Sequence, residues 1–127
     1  MDSVTDIAPP PLPMADWREY GQWLMGRRRR FRVREYSMWP VLAPQDTVLA
    51  SSAGVTAGDI AIARHPQQPD RLIIKRVKEV FYDGGVYLIS DNVHEPSARD
   101  SRHFGVVSAS QIVGRVTSCL AKGRNSV

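Results

Sequence analysis

The sequence predicts a mainly β, barrel-like domain with one short helix near its amino terminus. Short runs rich in β-branched residues recur along the chain and are separated by turn signals such as Asp83-Gly84-Gly85. Only residues 15–25 show the spacing of a helix face. Many short strands with turn punctuation and little helix are typical of a barrel-like β architecture.

The chain of 127 residues divides into four predicted segments. Residues 1–14 include three consecutive prolines, which favour extended polyproline geometry and predict a disordered tail. Residues 15–30 are assigned to the helix and a basic linker, residues 31–118 to the β-domain, and residues 119–127 to a C-terminal tail. A chain of this size is expected to hold one domain and to bury a core without disulfides.

Composition excludes several classes of protein. Cys119 is the only cysteine, so an intrachain disulfide and a metal site built on clustered cysteines are both excluded. No run reaches the roughly 18 apolar residues of a spanning helix, and the amino terminus lacks the basic and apolar regions of a secretory signal. We therefore expect a cytoplasmic protein without a metal or other cofactor.

The helical segment carries its aromatic and aliphatic residues on one face: Trp17, Tyr20, Trp23 and Leu24. Asp16 is placed to cap this helix and Gly26 to end it. The preferred interpretation is that the aromatic face packs on the β-domain. The alternative is an interfacial helix, with its aromatic residues in lipid and the arginines that follow on headgroups.

The basic run from Arg27 to Arg34 supplies much of the formal net charge of +4. Such runs bind nucleic acid or anionic lipid in some proteins and are solvated surface segments in most. Nucleic-acid binding is not expected, because no helix-turn-helix pattern precedes the β-region and no strand interleaves aromatic with basic residues. Weak contact with an anionic membrane stays an alternative, and the oligomeric state is left open.

Ser37 is the candidate nucleophile. It follows the predicted strand Phe31 to Tyr36 and precedes Pro40, which lacks an N–H and disfavours helix at the residue before it. The sequence therefore places Ser37 where a strand ends and the backbone turns. A serine hydroxyl needs a base within hydrogen-bond reach to become nucleophilic, whereas a lone serine in such a place is usually a plain turn residue.

Lys75 is the candidate base, because the histidines lie in polar or charged segments: His65, His94 and His103. Lys75 stands in the run LIIKRV, whose β-branched residues predict a strand that buries one face. Burial disfavours the ammonium form and lowers the pKa of a lysine toward neutrality. The alternative is a lysine that points to solvent with its stem along the sheet.

Three short motifs resemble those of type I signal peptidases and occur in the same order. SMWPVL resembles the nucleophile box S-M-x-P-T-L, IIKRV the general-base box K-R-V, and SDNVHEPSARDSR the third box G-D-N-x-x-x-S-x-D-S-R. Lys75 follows Ser37 by 38 positions, as in compact members of that family. The resemblance covers residues 31–116 and implies the coiled β fold of signal peptidases and LexA-type proteases.

The resemblance implies a serine endopeptidase in which Lys75 deprotonates Ser37 and the Ser37 N–H stabilises the oxyanion. It implies that Ser97 hydrogen-bonds the lysine. It further implies structural ion pairs of Asp100 and Arg102, and a shallow cleft for small side chains. Three residues are candidates to line that cleft: Met38, Trp39 and Ile73.

The chain departs from the family pattern at several places. Ser97 stands three positions before Asp100, where the pattern has two. Glu35 occupies the position of a serine that many members add to the oxyanion hole, and an ionised carboxylate cannot donate there. Ser90 stands where the third box has glycine. The loop between Asn92 and Asp100 is longer than the pattern by two residues.

The short format is similar to the maturation proteases of nickel-type superoxide dismutase, a minimal branch of the family. This similarity implies a protein substrate with an N-terminal extension, namely the dismutase precursor, whose mature amino terminus is freed by cleavage. One alternative is a signal peptidase that cleaves exported preproteins while attached to the membrane through Trp17 to Arg34. An alternative of another class is a basic nucleic-acid-binding module.

Overall fold

The computed structural model describes residues 11–123, which contain six strands and three short helical segments. The predicted mainly β fold class is therefore confirmed. In chain order the elements are α1 (Trp17–Leu24), β1 (Arg29–Arg32), β2 (Thr47–Ser51), β3 (Ile60–Arg64), β4 (Leu72–Val80), β5 (Val86–Ile89), α2 (Ser101–Phe104), a 3₁₀ helix (Ala109–Gln111) and β6 (Ile112–Ala121).

The six strands form one sheet in the order β1-β2-β6-β3-β4-β5, with every neighbouring pair antiparallel. The sheet bends strongly along this order. Residues 30–35 and residues 71–74 line one cavity, although three strands separate β1 from β4. This curvature gives the domain its coiled, barrel-like form.

Apolar side chains are buried on both faces of the sheet. On β3, Ile60 and Ile62 join a cluster with Met38, whereas Ala61 and Ala63 join a second cluster on the other face. Because successive side chains of a strand point to opposite faces, a strand covered on both sides is apolar throughout. This explains why Ile60–Arg64 shows no alternation of polar and apolar residues.

The predicted strand Phe31 to Tyr36 ends earlier than expected. β1 ends at Arg32, and Val33 makes the last pairing, since its N–H donates to Asp46 O and its carbonyl accepts from Gln45 N, each at 2.8 Å. Beyond Val33 the chain turns inward and buries Met38 in the core. Four residues thus separate β1 from Ser37, which lies in a turn rather than at a strand end.

The ordered structure extends beyond the predicted boundaries at residues 14 and 119. Cys119 N donates to Pro13 O, and Ala15 N donates to Cys119 O, both at 2.8 Å, so residues 13–15 pair with β6. β6 itself continues to Ala121. The rest of the predicted tails, residues 1–10 and 124–127, lies outside the described residues.

The closing part of the chain also differs from the prediction. The predicted strand Gly105 to Ser108 contributes a single bridge, between Val107 and Val86. The segment before it, predicted as a polar loop, contains α2, which is capped by the Asp100 carboxylate. A helix of four residues is too short to show a helical period in the sequence.

The ends of α1 follow the sequence signals. The Asp16 side chain accepts the N–H groups of Arg18 and Glu19 at 3.1 Å each, which caps the helix. The helix ends before Gly26, whose φ of 78° suits glycine. Within residues 11–123, no helix is both long and apolar enough to cross a membrane.

The orientation of α1 is the opposite of the preferred prediction. Glu19 faces the sheet, where it accepts hydrogen bonds from the hydroxyls of Thr117 and Ser118 and pairs with Arg28 at 3.1 Å. Trp17, Tyr20 and Leu24 point outward, with Trp17 76% and Leu24 83% exposed, whereas Trp23, four positions after Glu19, is only partly exposed. The prediction that the aromatic face packs on the β-domain is therefore wrong for three of its four residues.

Replacing Glu19 with glutamine is expected to lower the free energy of unfolding by about 1 to 2 kcal/mol at pH 7, because hydrogen bonds to a charged group exceed neutral ones. Burial would raise the pKa of Glu19, but hydrogen bonds from Thr117 and Ser118 and the charge of Arg28 lower it. This stabilisation is therefore present above the unfolded-state pKa, about 4.3, and lost as pH falls through the folded-state value.

Denaturant titrations at neutral and acidic pH measure this loss. Glu79→Gln, at an exposed position of β4, is the matched control and is expected to change stability little. Equal effects of the two substitutions at pH 7 would contradict the role given to Glu19.

Candidate active site

Lys75 is buried in the strand that was predicted to hold it. It lies on β4 on the same face as Ile73 and Val77, because alternate residues of a strand share a face. This side chain is only 2% exposed. Burial is the main cause that lowers the pKa of Lys75, and the charges of Glu35 and Asp100 oppose it. The sequence element that looked like a plain strand thus holds an amine away from water.

The Lys75 amine donates a hydrogen bond to the hydroxyl of Ser90, at 3.1 Å between Nζ and Oγ. Ser90 is buried. By contrast, the exposed Ser97 donates to the Glu95 carboxylate at 2.6 Å. The structure therefore gives Ser90 the contact that the family pattern implied for Ser97, and the prediction for Ser97 is corrected. In the sequence, the serine at position 90 in place of the glycine of the pattern is the feature that indicates this contact.

Ser37 lies in the turn that follows β1 and is 2% exposed. Its carbonyl accepts the N–H of Asn92 at 2.9 Å, and the Asn92 side-chain amide donates to Tyr36 O at 3.0 Å. Two consecutive carbonyls of the turn are thus fixed by one asparagine, to which the sequence interpretation gave no role. Among the described residues the Ser37 N–H donates to no other group, so it can donate to an incoming oxygen.

Residues 90–92 contact both the Lys75 side chain and the Ser37 backbone. Ser90 contacts Lys75 and Asn92 contacts Ser37, and consecutive Cα atoms are about 3.8 Å apart, so the two contacts arise within about 8 Å of backbone. Within residues 11–123 the Ser37 hydroxyl and the Lys75 amine form no direct hydrogen bond. Catalytic hydrogen bonds in free enzymes are often long and tighten when substrate binds.

Asp91, between these two contacts, anchors the segment to β4. Its carboxylate accepts two hydrogen bonds from the Arg76 guanidinium, at 3.2 and 2.8 Å, and both side chains are largely buried. Arg76 also donates to Gly58 O at 2.9 Å. Bidentate pairs of this kind fix orientation as well as distance.

Asp100 binds the backbone of the same segment at Ser90. This fully buried carboxylate accepts the Ser90 N–H at 2.8 Å and the Arg102 guanidinium at 2.7 Å. Burial would raise the pKa of Asp100, but the hydrogen bonds from Arg102 and from Ser90 hold it well below its usual range. The next residue, Ser101, accepts the Leu88 N–H at 2.9 Å. Asp100 and Arg102 therefore pair with each other, and Asp100 fixes the backbone of Ser90.

The three candidate cleft residues lie in different environments. Met38 is fully buried in the core and leaves no surface to a substrate, so its assignment is corrected. Trp39 is half-exposed and lies beside Tyr36, with ring centroids 6.4 Å apart. Ile73 lines both of the cavities that border the site.

One cavity of about 480 Å³ runs between the edge strand β1 and the start of β4. Its floor is apolar, with Phe31, Val48 and Ile62 among the lining residues, and arginines lie at its rim. A second cavity of about 320 Å³ is lined by Lys75 and Glu35, among other residues. Because β1 is a sheet edge, its backbone can pair with an extended peptide laid in the first cavity.

The sequence interpretation set His65 aside, but the structure buries it beside the candidate base. His65 lines the cavity that contains Lys75, and its ring lies against Phe104, with centroids 5.0 Å apart. Its Nδ1 accepts the Gln67 N–H at 3.0 Å. Burial and the charges of Arg71 and Lys75 lower the pKa of His65. A histidine in a polar loop gives no local signal of this position.

The sequence model of the family described as peptidase S24-like matches residues 28–117. The chain belongs to the peptidase S24-like family. The match begins just before β1, ends within β6 and includes the turn of Ser37, the strand of Lys75 and residues 90–92. No curated protein matches the chain. Membership of the peptidase S24-like family indicates a serine peptidase.

Asp91→Ala is expected to lower the free energy of unfolding by about 3 to 5 kcal/mol, because it leaves the Arg76 guanidinium buried and without its partner charge. The matched substitution Glu35→Ala breaks the exposed pair of Glu35 and Arg71 and is expected to cost at most about 1 kcal/mol. Urea denaturation of both variants measures the difference. Comparable losses would show that the Asp91 pair does not anchor the segment.

Proposed function

We propose that this peptidase S24-like chain is a serine endopeptidase with a dyad of Ser37 and Lys75. The observation that carries the proposal is the shared anchorage of the two residues. A buried lysine with a lowered pKa and a serine with an available N–H are both bonded to residues 90–92.

In the proposed reaction, the neutral amine of Lys75 accepts the hydroxyl proton of Ser37 as Oγ attacks the scissile carbonyl carbon. The carbonyl π electrons move to oxygen, where the Ser37 N–H stabilises the negative charge. One such preorganised donor is typically worth about 3 to 4 kcal/mol. Lysine then passes its proton to the leaving amine as the C–N bond breaks. Lys75 then deprotonates water, which attacks the acyl carbon, and returns the proton to Ser37 Oγ as the bond between the acyl carbon and Oγ breaks.

Neighbouring groups limit the roles that other residues can take. The Glu35 carboxylate accepts a hydrogen bond from Arg71 at 2.9 Å and is given no role as an oxyanion donor. Ser90 is the group that orients the amine of Lys75. His65 accepts a backbone N–H with the nitrogen Nδ1, which leaves that atom unavailable as a base.

The proposed substrate is an N-terminally extended protein, and specifically the precursor of a nickel-type superoxide dismutase. The apolar cavity beside the edge strand β1 suits an extended peptide with small side chains. The dismutase itself is proposed from the resemblance of the three motifs. The second candidate is cleavage of exported preproteins at a membrane surface, which the outward apolar face of α1 favours.

Incubation of the purified protein with each precursor, followed by mass spectrometry of the product amino termini, distinguishes the two substrates. Cleavage at the mature terminus of the dismutase supports the first proposal. Cleavage of only the signal peptide supports the second. If neither precursor nor a peptide library is cut, the endopeptidase proposal fails.

Ser37→Ala and Lys75→Met are each expected to reduce kcat/KM by roughly 10⁴-fold while the fold is kept, because each removes one half of the dyad. Lys75→Met keeps an unbranched side chain of similar size in the core. Hydrolysis assays with circular dichroism of each variant test this. Near-normal activity of either variant would rule out its assigned role.

The midpoint of the acid limb of the pH profile of kcat/KM is expected below about 10.4, the pKa of a free lysine, because burial lowers the pKa of Lys75. Activity falls as pH drops through that pKa, since the ammonium form cannot accept a proton. A limb at or above the free-lysine value would contradict the assignment of Lys75 as base.

Ser90→Ala is expected to lower kcat by about 10- to 100-fold, because a misplaced amine cannot reach the nucleophile. Since Ser90 accepts the hydrogen bond that favours the ammonium form, its loss is expected to move the acid limb to lower pH. Ser97→Ala is the matched control. If Ser97→Ala shifts the profile and Ser90→Ala does not, the original assignment from the family pattern is restored.

A further inference from the structure

α1 presents an unusual distribution of side chains. An amphipathic helix on a globular domain normally buries its apolar stripe and exposes its polar one. Here the polar residue Glu19 is turned to the sheet, Trp23 is partly buried, and four apolar residues are exposed: Trp17, Tyr20, Leu24 and, just after the helix, Met25. Trp17, Tyr20 and Leu24 share one face, because residues three and four positions apart are neighbours on a helix.

This orientation is held in place by several polar contacts. Glu19 bonds to Thr117 and Ser118 of β6 and pairs with Arg28. Rotating the apolar stripe onto the sheet would break all of these bonds and leave the Ser118 hydroxyl buried without its acceptor. The outward apolar face is therefore a stable feature of the domain.

The surface around this face is cationic. Between residues 17 and 34 the chain has seven arginines, and its one carboxylate, Glu19, faces inward. Two guanidinium groups lie over tryptophan rings: Arg18 over Trp17 at 5.3 Å and Arg30 over Trp23 at 5.5 Å. Apolar, aromatic and cationic groups are thus combined on one segment, with no outward carboxylate from the helix to the end of β1.

We propose that α1 and the arginine run, residues 17–34, form a docking surface for an anionic lipid bilayer. The apolar face of α1 enters the headgroup region, where tryptophan and tyrosine are favoured. The arginines other than Arg28, which pairs with Glu19, bind lipid phosphates. A helix of eight residues binds a bilayer weakly by itself. Each arginine near an anionic surface adds roughly fivefold in affinity, so the two contributions act together.

The charge pattern decides for lipid over a protein partner. Surfaces that bind proteins usually have a core depleted of charged residues and a polar rim. Residues 17–34 instead supply a high density of one charge beside aromatic residues, which is the pattern of membrane-surface helices. The docking surface contains neither Ser37 nor Lys75, so the proposal does not depend on the peptidase activity, although Arg30, Arg32 and Arg34 also line the cavity proposed for the substrate.

Co-sedimentation with lipid vesicles tests the proposal. The full chain is expected to sediment with vesicles of an equal mixture of phosphatidylcholine and phosphatidylglycerol at low salt. Binding is expected to fall at least tenfold with pure phosphatidylcholine or at high salt, because the arginines lose their partners. Ser37→Ala is expected to bind like the unmodified protein.

The double substitution Trp17→Ser with Leu24→Ser is expected to reduce binding at least tenfold, since it removes most of the apolar area that enters the bilayer. The matched control is Tyr82→Ser with Val93→Ser, which removes two exposed apolar side chains elsewhere on the domain. Circular dichroism confirms that both variants fold.

Three outcomes would overturn the proposal. The chain fails to bind anionic vesicles, or it binds neutral vesicles equally well, or the control pair loses as much binding as the α1 pair. If gel filtration instead shows a dimer that the α1 pair abolishes, while vesicles are not bound, the surface joins two copies of the chain and the lipid proposal is wrong.

Discussion

The geometry of the candidate site depends on a segment of three residues, 90–92, that binds both β4 and the turn of Ser37. Its first residue, Ser90, holds the amine of Lys75, and its third, Asn92, holds the backbone of Ser37. The residue between them is tied to β4 by a buried ion pair. The Lys75 amine and the Ser37 backbone are therefore both held by one short stretch of backbone, which is a more rigid link than two flexible side chains.

The electrostatic surroundings of Lys75 leave burial as the deciding effect on its pKa. Two carboxylates near the amine, Glu35 and Asp100, would raise the pKa. Each carboxylate is paired with an arginine, Arg71 and Arg102, whose positive charges lower the pKa of the amine. Within each pair the carboxylate and the arginine have opposite effects on the pKa of Lys75, and loss of hydration is the largest effect. A base that works by this means needs a closed core around it, which the curved sheet supplies.

Local features of the fold were predictable, and features set by distant contacts were not. The ends of α1 and the run of β4 follow from capping residues and β-branched residues. Helical periodicity finds an apolar face but cannot tell which face is buried, and the partner that turns Glu19 inward, Thr117, lies 98 residues away. Similarly, motif spacing indicated Ser97 for the lysine, whereas the path of a lengthened loop brings Ser90 there.

The proposed chemistry requires that burial of the Lys75 amine beside the turn of Ser37 lowers its pKa. Nuclear magnetic resonance of isotope-labelled lysine in the Ser37→Ala protein measures this directly, with Lys75→Met used to assign the signal. We expect Lys75 to titrate below the value of about 10.4 of a free lysine, because burial lowers its pKa. Titration at or above that value would mean that the buried amine stays charged, and Lys75 could not act as the base.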